Sequence, residues 1–208
     1  MIRPIRLYGD PVLRRAARTV TRFDASLRGL AADMIDTMID ADGLGLAAPQ
    51  VGASWRLFVV AGVADPARAL PAATEDGEVV EPTIEEQRSA ALVFVNPTLE
   101  PLGGRQAGIE GCLSLPGLYH EAVERHAALR VRYQDLAGAW HERVVEGRFA
   151  VVLQHEADHL DGVLFIDRLD DTERRAFMEA HRSDLAQMQR DAKAALKGGT
   201  RAAVARSG

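Results

Sequence analysis

The sequence predicts one domain of mixed helices and strands, and three patterns point to it. Short apolar runs at Leu57-Phe58-Val59-Val60 and Ala91-Leu92-Val93-Phe94-Val95, bounded by turn residues, have the length of buried strands. Leu129-Arg130-Val131-Arg132-Tyr133 alternates like a half-exposed strand and faces a partner at 140–145 across a turn at Gly138. Leu27, Leu30, Met34 and Met38 recur instead at helical spacing. With 208 residues, 47% of them hydrophobic, the chain can bury a core of its own, so one domain with extensions is expected rather than two equal halves.

In chain order, Asp10-Pro11 opens a short turn or helix, because Asp caps free amides and Pro is tolerated at the first helical position. A longer helix starts near Asp24, turns Asp33, Asp36 and Asp40 away from its apolar stripe, and ends at Gly43; its methionines read as core. Next comes Gly43-Leu44-Gly45-Leu46-Ala47-Ala48-Pro49-Gln50, whose glycines either serve a turn or let a ligand approach the backbone. The segment lacks the Gly-Lys-Ser/Thr ending of a phosphate loop. Its polar end, Gln50, carries an amide able to donate to a developing oxyanion if the fold brings it beside a metal.

Residues 65–89 contain three prolines, seven acidic residues and two arginines, which reads as a mobile loop rather than core, either a solvated hairpin insertion or a lid. A helix begins near Gly147, buries Phe149, Val152 and Leu153, and stops at Gly162. After Asp170 a further helix carries Phe177, Leu185, Met188 and Leu196 among many charges, and 197–208 reads as a frayed tail.

The chemistry concentrates in Gln154-His155-Glu156-Ala157-Asp158-His159. Histidines four apart lie about one turn apart on one helix face, a spacing that suits a metal ion, and Glu156 sits beside that face, able to handle a proton on water. A solvated helix with incidental histidines would give the same string. A catalytic ion needs a third protein ligand and one open position. The place six residues after His159 holds Phe165, and nothing around Glu173 or Glu179 singles either out. Cys112, the only cysteine, in Glu110-Gly111-Cys112-Leu113-Ser114, is the better candidate, since a thiolate with two imidazoles suits iron(II), zinc, nickel or cobalt.

Composition narrows the function classes. The net charge of −5 and the lack of a basic stripe give no pull toward specific DNA, and no apolar run approaches the ~20 residues that span a bilayer. One cysteine excludes an internal disulfide, and Met1-Ile2-Arg3-Pro4-Ile5-Arg6 lacks a signal-peptide core, so a cytoplasmic location is expected.

Taken together, 43–50, 110–114 and 154–159 match in order and content the three motifs of the peptide deformylase family, and the similarity continues through Leu160-Asp161-Gly162-Val163-Leu164-Phe165. The chain resembles that family over most of residues 1–170, with 171–208 as a C-terminal helical extension and disordered tail. The resemblance implies an α+β fold, with small antiparallel sheets packed around a central metal-binding helix and a C-terminal helix. It also implies removal of the formyl group from N-formylmethionine at the start of newly made proteins, releasing formate. It makes Cys112, His155 and His159 the metal ligands and Glu156 the general acid/base. Gln50, by its amide, and Leu113, by its backbone N–H, become the oxyanion donors. Gly45 becomes a backbone contact to substrate, while Leu44, Val151 and Val152 contribute to a methionine pocket. Iron(II) is implied in the cell, with zinc, nickel or cobalt able to occupy the site in purified protein. Asp158 is expected to pair with Arg125, and the C-terminal helix resembles an extension that approaches the ribosome.

The sequence departs from the family where many relatives carry an Arg soon after the Pro-Gly of the second motif. Here Pro116-Gly117-Leu118 leads to Tyr119 and His120. An ordinary His-Glu-x-x-His peptidase and a non-catalytic metal-binding protein are the competing readings. Cys112 and Gln50 argue against the first and an intact Glu156 against the second. A cysteine-nucleophile reading would leave the paired histidines without a shared purpose.

Overall fold

Leu57, Phe58, Val59 and Val60 are all buried, yet successive strand residues point to opposite faces, so this strand must be covered on both sides. Phe58 and Val60 join a cluster with Phe94, Leu129, Val131, Phe149 and Leu153. Leu57 and Val59 join another with Leu27, Leu30, Met34 and Met38. β2 therefore lies between two helices, the one predicted around Leu27–Met38 and the one predicted around Phe149–Leu153.

The computed structural model describes residues 1–68 and 82–198. Its elements are α1 (Ala25–Asp40), β1 (Gly45–Ala47), β2 (Leu57–Val60), α2 (Ile84–Ala90), β3 (Leu92–Cys112), β4 (Leu115–Gln134), β5 (Trp140–Glu146), α3 (Gly147–Leu160), α4 (Asp171–Ala180) and α5 (Arg182–Gly198), with short 3₁₀ turns between. The strands form one antiparallel sheet in the order β1-β2-β3-β4-β5. The fold is α+β, with α3 against one face of the sheet.

Local signals set the boundaries. Asp10 caps the 3₁₀ turn Pro11–Arg14, and Asp24 accepts from the amides of Ser26 and Leu27 to start α1. α1 ends earlier than Gly43, because Asp42 takes the left-handed conformation, φ 51°, while the Gly43 amide bonds back to the Met38 carbonyl. Gly162, φ 74°, follows the end of α3 and packs so closely on the Arg14 backbone that a Cβ there would lie 2.7 Å from it. β4 and β5 pair from Ala128–Glu146 to Gln134–Trp140, as the alternation around Gly138 predicts.

Three further expectations are corrected. β3 and β4 extend far beyond 91–95 and 129–133: the added part of β3 is mostly exposed, glycine-containing and bulged, and that of β4 buries Leu115, Leu118, Val123 and Arg125 at irregular spacing, so neither carries a steady period-two pattern. Part of 65–89 is ordered: Thr83 and Glu86 form a capping box that opens α2, and Asp65 is buried against Arg143 of β5 at 2.8 Å. The remaining residues of the loop expectation, 69–81, and of the tail, 199–208, lie outside the described residues. The single helix expected after Asp170 is two, broken at His181. Phe177, Leu185 and Met188 from these helices pack with Leu115, Leu118, Leu164 and Phe165 in one cluster, while Leu196 is exposed.

Candidate metal centre

The hairpin between β3 and β4 closes through Leu113 and Ser114, with Cys112 opposite Leu115, and this turn meets α3. Gln154 fixes that helix against β4: its Oε1 accepts from the His126 amide at 3.0 Å and its Nε2 donates to the His126 carbonyl at 3.0 Å. Beyond it the rings of His155 and His159 stand on one face, centroids 5.0 Å apart. Cys112 Sγ lies 3.3 Å from His159 Nε2, and one donor atom from each of Cys112, His155 and His159 falls within 4.8 Å of the others. Among the described residues this is the one such group. Sulfur and nitrogen bound to a common tetrahedral ion stand about 3.5 Å apart, so the spacing fits. Glu110 Oε2 contacts His155 Nδ1 at 2.8 Å, which leaves Nε2 as the nitrogen available for a metal.

Gln50, on the 3₁₀ turn Ala48–Val51, is turned by its neighbours. Its Oε1 accepts from the Ala47 amide at 2.7 Å, so its amide nitrogen faces Cys112 Sγ at 3.6 Å and Ser114 Oγ at 3.3 Å. Gly45 on β1 presses on Glu156: a Cβ at that position would sit 2.3 Å from Glu156 Oε1. Any side chain there would displace the carboxylate.

Burial sets the electrostatics. Glu156 is buried, its Oε2 has no hydrogen-bond partner, and desolvation pushes its pKa up to about 7. His159, also buried with Nδ1 unpartnered, is held well below its ordinary pKa by burial and by neighbouring His155. Burial alone would lower His155 too, yet its contacts with Cys112 and Glu110 carry it well above the usual value. Glu110 goes the other way: burial opposes ionisation, but Arg125 and His155 hold its carboxyl down at about 2. Arg125 donates to Glu110 at 2.7 and 2.9 Å and to Asp158 at 2.6 Å, tying β3, β4 and α3 together.

The structure thus gathers Gln50, Cys112, Glu156, His155, His159 and Gly45. Leu113 occupies the hairpin turn, its side chain where a Cβ on Gly43 would meet it at 2.8 Å. Val152 is buried in the core between sheet and α3, and Leu44, half-buried, packs on the same cluster; Val151 is half-buried. Tyr119 is exposed with its ring over Gly111, and half-buried His120 accepts from the Ala122 amide. Glu110 was not assigned a role from sequence, though its place two residues before Cys112 on a strand was the available signal. Ser114 and Arg168, which contact Gln50 and Asp158, had no local signal. A separate cleft of about 700 Å³, bounded by Tyr8, Arg174, Met178 and Gln189, lies against α4 and α5 and includes none of these residues.

A His-Glu-x-x-His helix joined by a thiolate, with a buried carboxyl beside them, defines the class as a metal-dependent hydrolase. The family model for polypeptide deformylase matches residues 2–175. A peptide deformylase of Thermus thermophilus is 49% identical over 197 residues, covering 95% of this chain and 97% of its own. One of Novosphingobium aromaticivorans is 46% identical over 172 residues, covering 81% and 89%. A crystal structure of peptide deformylase from Thermus thermophilus superposes with a TM-score of 0.76 at 45% identity, covering 92% of this chain and 99% of that one. A Plasmodium falciparum peptide deformylase structure gives 0.72 at 33% identity, covering 91% and 97%. The chain belongs to the peptide deformylase family, and it removes the N-formyl group from newly made peptides.

Proposed function

We propose that Cys112, His155 and His159 hold the divalent ion and that Glu156 carries the proton during hydrolysis of N-formylmethionyl peptides. The observation supporting this most directly is the convergence of the three donors within 4.8 Å, beside a buried carboxylate with an unpartnered oxygen. When bound, the ion supplies Lewis acidity toward water and the formyl carbonyl. Glu156 takes a proton from the attacking water and returns it to the departing amine, a task suited to a carboxyl whose pKa burial has raised to about 7. The Gln50 amide and the Leu113 backbone N–H donate to the negative charge developing on the formyl oxygen. Gly45 offers its backbone to the peptide, and Leu44, Val151 and Val152 contribute to the methionine pocket.

Iron(II) is the ion proposed in the cell, in keeping with a mixed thiolate–imidazole set that also accepts zinc, nickel or cobalt. A thiolate ligand and nascent-chain substrates favour the cytoplasm, where thiols stay reduced. No described helix is long and apolar enough to cross a membrane. We read 1–170 as the catalytic unit and 171–208 as an extension. Exposed Arg182, Arg190, Lys193 and Lys197 on α5 give it a cationic side for ribosomal contact.

The test is formate release from formyl-Met-Ala-Ser by anaerobically prepared protein loaded with iron(II) or nickel, beside Glu156→Ala and Cys112→Ser. Activity in the wild type and its loss in both variants is expected. A metal-loaded wild type that releases no formate from a range of formyl peptides would overturn the reading.

A further inference from the structure

Asp158 adjoins His159 on α3 and is only 7% exposed. Its Oδ2 accepts from Arg125 Nη1 at 2.6 Å and from Arg168 Nε at 2.9 Å, and its Oδ1 accepts from Arg168 Nη2. Arg125 directs its other nitrogens to Glu110, whose Oε2 meets His155 Nδ1. A continuous chain of alternating charge runs from Arg168 through Asp158, Arg125 and Glu110 to His155.

Within the buried part of this chain, two carboxylates compete for one guanidinium. Glu110 and Asp158 are two carboxylates, and Arg125 is the one guanidinium between them, with all three buried. A charge left without a counter-ion in such a setting is costly. Arg168 gives Asp158 a second cationic partner from outside the helix, just after the turn Phe165–Asp167, with its guanidinium half-exposed.

We propose that Arg168 is a positioning residue for the metal centre: it secures Asp158, so that Arg125 stays shared with Glu110 and Glu110 keeps the His155 ring aimed at the ion. The proposal rests on Cys112, His155 and His159 being the ligands. Without Arg168, Asp158 has Arg125 alone to answer its charge. Arg125 is then drawn toward α3, and the hold of Glu110 on His155 loosens. A residue that merely pinned α3 to the following turn would affect stability without affecting how long a folded protein keeps its ion.

The experiment follows nickel transfer from the loaded protein to excess chelator, well below the unfolding temperature, with the thermal midpoint recorded in parallel. Removing outer partners of a metal-bound His costs about 10–100-fold in affinity, and Arg168 acts through two intermediaries, so Arg168→Met is expected to release nickel about 3–10-fold faster. Arg168→Lys, which restores the charge without the fork, falls between Met and wild type. In an Asp158→Asn background, Arg168→Met brings no further acceleration. Equal release by wild type and Arg168→Met overturns the proposal, as does an Arg168→Met effect that persists undiminished in Asp158→Asn. A wild type that retains nickel no better than Cys112→Ser overturns the ligand set itself, which separates the two failures.

Discussion

α3 and α5 are both helices with one buried stripe, and they bury different chemistry. α5 places Leu185, Met188 and Ala192 inside and leaves most of its charged residues in water. α3 takes Glu156, Asp158 and His159 inside together with Phe149, Leu153 and Leu160. Burying charge is costly unless it is partnered, so the two helices answer different demands. Within α3 the contrast sharpens: Asp158 is held by two arginines, whereas Glu156 Oε2 and His159 Nδ1 have no partner. The partnered Asp158 fixes geometry, while the unpartnered oxygen of Glu156 suits the proton-carrying role proposed for it.

Substitutions test that division. The largest effect is expected from Glu156→Gln, which keeps the shape but not the proton transfer: formate release should fall about 10²–10⁴-fold with nickel content unchanged. A smaller activity loss, about 10²–10³-fold, is expected for Gln50→Ala, checked as kcat/KM against formyl-Met-Ala-Ser. Glu110→Gln, removing the anionic partner of His155, should weaken nickel binding about 10–100-fold in a competition titration.

Outside the centre the effects fall on stability. Asp65, buried against Arg143, has its pKa lowered: burial opposes this, but hydrogen bonds from Arg143 and the Ala67 amide outweigh it. A depressed acid stabilises the fold above its unfolded pKa of about 3.9 and loses that contribution as pH falls through the folded value. Asp65→Asn should therefore flatten the acid limb of stability against pH and cost about 1–3 kcal/mol at neutral pH, read by urea unfolding. The smallest effect is expected at Leu196 on α5, exposed at 53%, where Ala should shift stability by less than about 0.5 kcal/mol and leave formate release unmoved.

Much of this was legible in the residue pattern. β2 coincides with the apolar run 57–60, and the caps at Asp10 and Asp24 and the hairpin at Gly138 have local causes. The long arms of β3 and β4 were not, because the exposed, bulged ladder of β3 and the irregularly spaced buried residues of β4 show no steady alternation to read. The break at His181 was hidden by charged residues that continue a helical pattern on both sides. α2 had a readable signal in Thr83-x-x-Glu86, outweighed by the acidic, proline-containing stretch around it.

The sequence by itself determined α1, β2, the β4–β5 hairpin and α3, and which residue types are available, since helical spacing, strand alternation and caps act over a few neighbours. Tertiary structure alone decided what depends on distance between remote segments. Gln50 faces Cys112 across 62 residues, Glu110 reaches His155 across 45, and Arg125 reaches Asp158 across 33. It also decided that Glu156 is buried without a partner for Oε2, and desolvation is a property of the packed surroundings rather than of the local string.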